Sequence, residues 1–185
     1  MGRKIIVSNL MSLDGYFEGA NKSLDWFMVS DEFFEYAKQL LRKVDTILFG
    51  KATYEHMAMY WPSAPSDEIA DKMNGLRKLV FSNSLEKVTW RNSFLVPGEA
   101  SEEVKKLKSQ PGGDMVIFGS AKLASSLLND GMIDEYRVIV NPVLLGSGTP
   151  MFENIGHRIK LKLRNSRSFA SGVVVLYYEP SDRQS

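Results

Sequence analysis

Residues 114–152 read DMVIFGSAKLASSLLNDGMIDEYRVIVNPVLLGSGTPMF, and the fold turns on how this stretch is read. It opens with the apolar run Met115-Val116-Ile117-Phe118, turns at Gly119-Ser120, and continues with Leu123, Leu127 and Leu128 at helical spacing. An apolar run closed by glycine and followed at once by a helical pattern predicts a strand–turn–helix unit. Glycine permits the tight turn and lets another group approach the backbone. The first amides of the new helix have no partner within it, so they offer a site to a phosphate or other anion beyond the strand end. The helix, expected over residues 121–128, stops at Asn129-Asp130-Gly131, and Ile133 to Val140 then reads as a strand. Gly146-Ser147-Gly148 fails the context of a dinucleotide fingerprint, because Pro150 follows and no helical pattern opens there; it reads as a tight turn.

The same unit recurs upstream. Asp45 to Phe49 reads as a strand ending at Gly50-Lys51-Ala52-Thr53, with a short helical pattern up to Tyr60-Trp61-Pro62. Before it, Lys4 to Met11 is a strand that ends near the turn pair Asp14-Gly15. Ser30 is placed as the N-cap of a helix running to about Val44, with Asp31 and Glu32 in its first turn. Asp67 to Leu76 reads as helix, Lys78 to Ser82 as a strand ending in Ser82-Asn83-Ser84, and Trp90 to Val96 as another strand. Ser101 is expected to cap an amphipathic helix that buries Val104 and Leu107. Downstream, Ile159 to Phe169 alternates apolar and charged residues, as an antiparallel strand with one wet face would, and Gly172 separates it from Val173 to Tyr178 as a terminal hairpin. The tail Pro180 to Ser185 is expected to fray. Strands that alternate with helices and end in two bare strands predict a single α/β domain over residues 1–185, with a mainly parallel sheet and an antiparallel C-terminal edge.

Bulk properties exclude several classes. A net charge of +1 offers no field for nucleic acid or an anionic membrane surface. The absence of cysteine removes disulfides, Cys-ligated zinc and thiol catalysis. No apolar run reaches the roughly 20 residues that span a bilayer, and the N-terminus enters a strand directly, so the cytoplasm is the expected compartment.

Ligands of open α/β sheets sit beyond the carboxyl ends of the strands. Three such ends carry suitable chemistry: Gly50-Lys51-Ala52-Thr53, Ser82-Asn83-Ser84 and Gly119-Ser120-Ala121. Two helix starts would suit a pyrophosphate, with Lys51 and the Thr53 hydroxyl adding charge-assisted hydrogen bonds. Either junction is equally readable as an ordinary α/β turn bound to nothing. His56 and His157 lack acidic neighbours at metal spacing, so no metal is expected. Asp31 and Glu35 share a helix side away from the apolar stripe, and Asp14 is most simply a turn residue. Residues 57, 59, 60 and 61 read as packing, although Trp61 before Pro62 would also wall a pocket for a flat ring.

These residues carry a resemblance. Ser12-Leu13-Asp14-Gly15, Leu48-Phe49-Gly50-Lys51-Ala52-Thr53-Tyr54-Glu55, Tyr60-Trp61-Pro62 and Val80-Phe81-Ser82-Asn83 occur in order. Gly119-Ser120-Ala121-Lys122-Leu123, Gly131-Met132-Ile133-Asp134-Glu135 and Asn141-Pro142-Val143-Leu144-Leu145-Gly146-Ser147-Gly148 follow. The ordered set resembles the dihydrofolate-reductase-like superfamily, and within it stand-alone proteins related to the reductase domain of the bifunctional riboflavin-biosynthesis enzyme. The resemblance implies a sheet of about eight strands (a mean-sized sheet is smaller), a homodimer, NADPH as cofactor, and hydride transfer to a C=N or C=O carbon of a small heterocycle. It assigns Gly50, Lys51 and Thr53 to phosphate or ribose, Ser82 and Asn83 to the adenosine side, and Gly119, Ser120, Ala121 and Leu123 to the pyrophosphate. It puts Asp14 near the nicotinamide, Trp61 on the substrate side, and Asp31 roughly where dihydrofolate reductases keep their acid. Lys51 stands where the family usually has Arg, and Asn83 where a basic residue often lies, which bears on NADPH against NADH.

Overall fold

The computed structural model describes residues 2–181; of the tail expected to fray, residues 182–185 lie outside the described residues. The chain runs β1 (Ile5–Ser12), β2 (Tyr16–Glu18), α1 (Asp31–Leu41), β3 (Val44–Gly50), α2 (Lys51–Tyr60), α3 (Glu68–Gly75), β4 (Arg77–Phe81) and β5 (Ser93–Val96). It continues through α4 (Ala100–Lys108), β6 (Asp114–Phe118), α5 (Ala121–Asn129), β7 (Glu135–Asn141), β8 (Thr149–Pro150), β9 (Leu161–Ser168) and β10 (Val174–Pro180).

Eight strands form one sheet in the order β5-β4-β3-β6-β1-β7-β10-β9. Pairing is parallel from β5 across to β7 and antiparallel for β7–β10 and β10–β9. The central strands are apolar on both sides because both faces are covered. One face buries Ile6, Ile47, Phe49, Val80 and Ile139 under α1, α2 and α3. The other buries Val7, Leu48, Leu79, Ile117 and Val138 under α4 and α5. The result is a three-layer α/β/α sandwich, as the alternation of elements predicts. No helix among the described residues is long and apolar enough to cross a membrane.

Local chemistry sets the helix ends. The Ser30 hydroxyl accepts from the Phe33 amide and starts α1, and Asp67 accepts from Ala70 and starts α3. Four departures from the sequence reading have a plain physical cause. Helix α1 ends at Leu41 rather than near Val44, because Val44 is drawn into the ladder with β6, opposite Asp114. The N-cap of α4 is Glu99, without a side-chain bond, and Ser101 lies inside the helix. Trp90 precedes β5; its ring stacks against Phe49 and Tyr54 in the core and its Nε1 donates to Asn74 Oδ1. Strand β9 is not wet on one face only: every residue but Arg167 is exposed, since β9 is the edge of the sheet and no helix covers it.

A second, two-stranded ladder pairs β2 with β8. It is built by the Gly146-Ser147-Gly148 turn, which brings Gly148 so close to β2 that a Cβ there would stand 2.0 Å from the Glu18 carbonyl oxygen. Only glycine fits.

Candidate functional site

Strands β3 and β6 are parallel neighbours, with Leu48 opposite Ile117, so the turns at Gly50 and Gly119 lie side by side. The helices that follow leave to opposite faces: α2 packs in the core layer of Phe49, and α5 in that of Leu48. Adjacent strands with connections to opposite faces define the crevice where open α/β sheets take ligands. The two turns are tied directly, the Gly50 amide donating to Ser120 Oγ at 3.0 Å. Neither α2 nor α5 has a side-chain N-cap, in contrast to α1 and α3. The Ser120 and Ala121 amides donate to the Phe118 and Gly119 carbonyls, and with no side-chain cap the rest of each first turn keeps its partial positive charge.

Strand β4 lies on the other side of β3 and brings the polar trio to the same edge. Lys51 Nζ donates to Ser84 Oγ at 3.2 Å. Ser82 Oγ accepts from the amides of Ser84 and Leu85, and Asn83 Oδ1 accepts from the Gly98 amide. Gly50, Lys51, Ser82, Asn83, Gly119 and Ser120 therefore share one rim, with Thr53, Ala121 and Leu123 in the first turns of the two helices.

Gly119 closes the floor. Its amide donates to Asn9 Oδ1 at 2.8 Å, and its φ is +68°. A Cβ there would stand 2.9 Å from Thr53 Cγ2 and 3.7 Å from Phe17 Cζ, so Thr53 and Phe17 lean over the turn. Phe17 arrives on β2, held by its ladder with β8.

The other singled-out residues are engaged as follows. Asp14 sits at the turn after β1, and its carboxylate accepts from Ser12 Oγ, the Leu145 amide and the Gly146 amide. The Gly146 amide above all, then Ser12, hold its pKa below the ordinary carboxylate value. Asp31 is exposed; with Phe34, Glu35, Lys38, Asp67, Glu68 and Ile69 it lines a groove of about 320 Å³ between α1 and α3. Trp61 follows α2, whose ten residues carry the chain roughly 15 Å from Gly50. Its indole rests on Met57, and its carbonyl accepts from Asn74 near the start of β4. Met57 and Trp61 pack against the core as expected, but Met59 and Tyr60 are 76% and 58% exposed. His56 and His157 are exposed, and no group of metal-ligating side chains occurs among the described residues.

Sequence reasoning passed over Asn9, which is 1% exposed and fixes Gly119, and Phe17. The signal for Asn9 was present: Ser8-Asn9 interrupts an apolar strand, and buried polar groups keep partners. Phe17 carried none, because its contact depends on the β2–β8 ladder.

Comparisons with known proteins agree with this architecture. The family profile of the RibD C-terminal domain matches residues 3–175. The chain is 33% identical to the Bacillus subtilis (strain 168) protein YyaP over 180 residues, covering 95% of this chain and 94% of that one. In fold it is similar to a riboflavin biosynthesis protein from Shewanella sp. PV-4, with a TM-score of 0.79, 21% identity, and coverage of 98% and 100% of the two chains. It is also similar in fold to dihydrofolate reductase from Enterococcus faecalis, solved with NADP(H), with a TM-score of 0.66, 13% identity and 97% coverage of each chain. With its mixed eight-stranded sheet and paired strand–glycine–helix turns, the chain belongs to the RibD C-terminal domain family, on the dihydrofolate-reductase-like fold.

Proposed function

We propose that this protein is an NADPH-dependent reductase that passes a hydride to the C=N or C=O carbon of a small, flat pterin- or pyrimidine-like heterocycle. The observation that carries the reading is the pair of uncapped helix starts joined by the Gly50–Ser120 hydrogen bond. A diphosphate suits this cradle, because its two negative groups would each face one helix start and no carboxylate lies among the residues of the two turns. Lys51 and Thr53 would hold phosphate or ribose, with Ser82 and Asn83 on the adenosine side; Lys51 adds a charge-assisted contact to a phosphate, and the diphosphate of NADH suits the same cradle. Bound there, the dihydronicotinamide supplies the hydride. The same reading carries a homodimer acting in the cytoplasm.

NADPH titrated against the intrinsic fluorescence of Trp26, Trp61 and Trp90 is expected to saturate at sub-millimolar concentration. Absence of saturation removes the cofactor. A second reading, a nucleotide-binding protein without turnover, is favoured by one observation: the Asp14 carboxylate is occupied by two backbone amides, and Asp31 opens onto the groove between α1 and α3. Tight NADPH binding without oxidation across a panel of carbonyl and imine acceptors selects it.

A further inference from the structure

Hydride transfer to C=N or C=O leaves the substrate heteroatom in need of a proton. Asp14 is a poor source, because its carboxylate is engaged by two backbone amides, and Asp31 opens onto the groove beside α3. One buried hydroxyl pair joins β1, the neighbour of β6, to α1. Ser8 Oγ and Tyr36 Oη are 2.8 Å apart, and the two residues are 5% and 3% exposed. Ser8 is the ladder partner of Phe118, the residue just before Gly119, and the Gly119 amide is bound by Asn9, the residue just after Ser8. Ser8 thus stands one ladder step from the crevice floor, with its side chain on the sheet face covered by α1.

A cation backs this pair. Arg137 is the ladder partner of Ser8 on the other side of β1, and Tyr177 is the partner of Arg137 on β10. The guanidinium carbon lies 6.0 Å from the centre of the Tyr36 ring and 5.1 Å from that of Tyr177, and Nε donates to Glu135 Oε1 at 2.5 Å. Arg137 is 8% exposed, so its charge acts in a poorly screened interior. Burial pushes the Tyr36 hydroxyl up to about 12 while Arg137 opposes that rise, so the phenol keeps its proton at neutral pH and its anion has a neighbour of opposite charge.

We infer that Ser8 and Tyr36, backed by Arg137, form the proton relay of the reductase. The inference rests on the reductase reading. NADPH held at the two turns would supply a hydride with its electron pair to the substrate carbon, which would leave the former π electrons on the heteroatom. That atom takes the Ser8 hydroxyl proton, Ser8 takes the proton of Tyr36, and the Tyr36 phenolate is stabilised by Arg137. One proton from solvent would then restore the phenol, so the substrate gains one hydride and one proton in all. In this relay Ser8 is the group that would meet the substrate heteroatom; Tyr36 and Arg137 act through it and are positioning residues.

The test measures NADPH oxidation across the carbonyl and imine panel for the parent, Tyr36→Phe, Ser8→Ala and Ser8→Thr. NADPH binding by fluorescence and thermal melting are followed in parallel. Expected are unchanged NADPH affinity within about twofold, kcat at least about tenfold lower in Tyr36→Phe and Ser8→Ala with KM held, an altered solvent deuterium effect, and recovery in Ser8→Thr, which keeps the hydroxyl. Equal kcat in parent and Tyr36→Phe overturns the relay. A Tyr36→Phe variant that unfolds leaves the decision to Ser8→Ala against Ser8→Thr, where equal rates overturn it. A parent that binds NADPH but oxidises none of the panel overturns the relay and leaves the cofactor site standing, whereas loss of NADPH binding in the parent removes the reductase reading itself.

Discussion

The Gly50 amide donates to the Ser120 hydroxyl at 3.0 Å, so two turns separated by 70 positions in the chain are held as one rim. Ser120 is 5% exposed, and removing its oxygen leaves a part-buried amide without that acceptor. Ser120→Ala is expected to lose about 1 kcal/mol of stability and to weaken NADPH a few-fold, read by denaturant unfolding and fluorescence titration. Parent-like values in both would show that the tie carries neither load.

Gly119→Val is expected to lower stability before it touches ligand binding. The +68° backbone angle disfavours any Cβ, and that Cβ would press on Thr53 Cγ2 at 2.9 Å. The backbone strain alone amounts to roughly 1–2 kcal/mol, which corresponds to a fall of at least ~2 °C in melting temperature for a chain of this size. Adding Thr53→Ala should restore part of the loss, and a double variant no better than the single would place the conflict elsewhere.

Lys51 is partly exposed beside Ser84, and its contribution to holding a phosphate is electrostatic. Lys51→Ala is expected to raise the NADPH dissociation constant more at low than at high salt, because mobile ions screen the missing charge. An affinity loss that ignores salt would argue against a direct charge contact.

Asp14 joins the turn after β1 to the Leu145-Gly146 segment. Its folded pKa lies below the ordinary 3.8, so the stability it adds is complete above 3.8 and lost as pH falls through the lower folded value. Unfolding curves of parent and Asp14→Asn should therefore run at a constant offset near neutral pH and converge in acid. A gap that persists at the lowest pH would mean the carboxylate charge is not what the two amides recognise.

Lys78 is fully buried over the Trp90 ring at 4.4 Å, and its Nζ donates to the carbonyls of Asn74, Leu76 and Arg91. Burial first, then the nearby Arg91 charge, lowers its pKa from 10.5 to about 8. Between these values the unfolded chain holds a proton that the folded chain has released, so stability rises with pH across that window. Lys78→Met should flatten this rise. A parent whose stability is level or falling there, relative to the variant, would show that the three carbonyls keep the ammonium charged.

Much of the fold was legible because its signals are local. Phe49-Gly50 and Phe118-Gly119 each join an apolar run to a helical pattern, and Ser30 and Asp67 cap the helices they precede. Asn9 was visible as a polar residue in an apolar strand, but its partner was not. The β2–β8 ladder was invisible: a two-residue strand has no periodicity, and it exists only because Gly148 can lie flat against Glu18. The openness of β9 on both faces also escaped, since alternation in a strand cannot say whether a helix covers it.

By itself the sequence determined which of the longer segments become strands and helices and where the tight turns fall, because hydrophobic period, capping hydroxyls and glycine act over a few residues. Only the tertiary structure decided that β6 enters between β1 and β3, setting the Gly119 turn beside Gly50, Asn9, Thr53 and Phe17. Strand order is settled by packing both sheet faces at once and by ladders between distant segments. That balance of burial is a property of the whole chain, and no local window contains it.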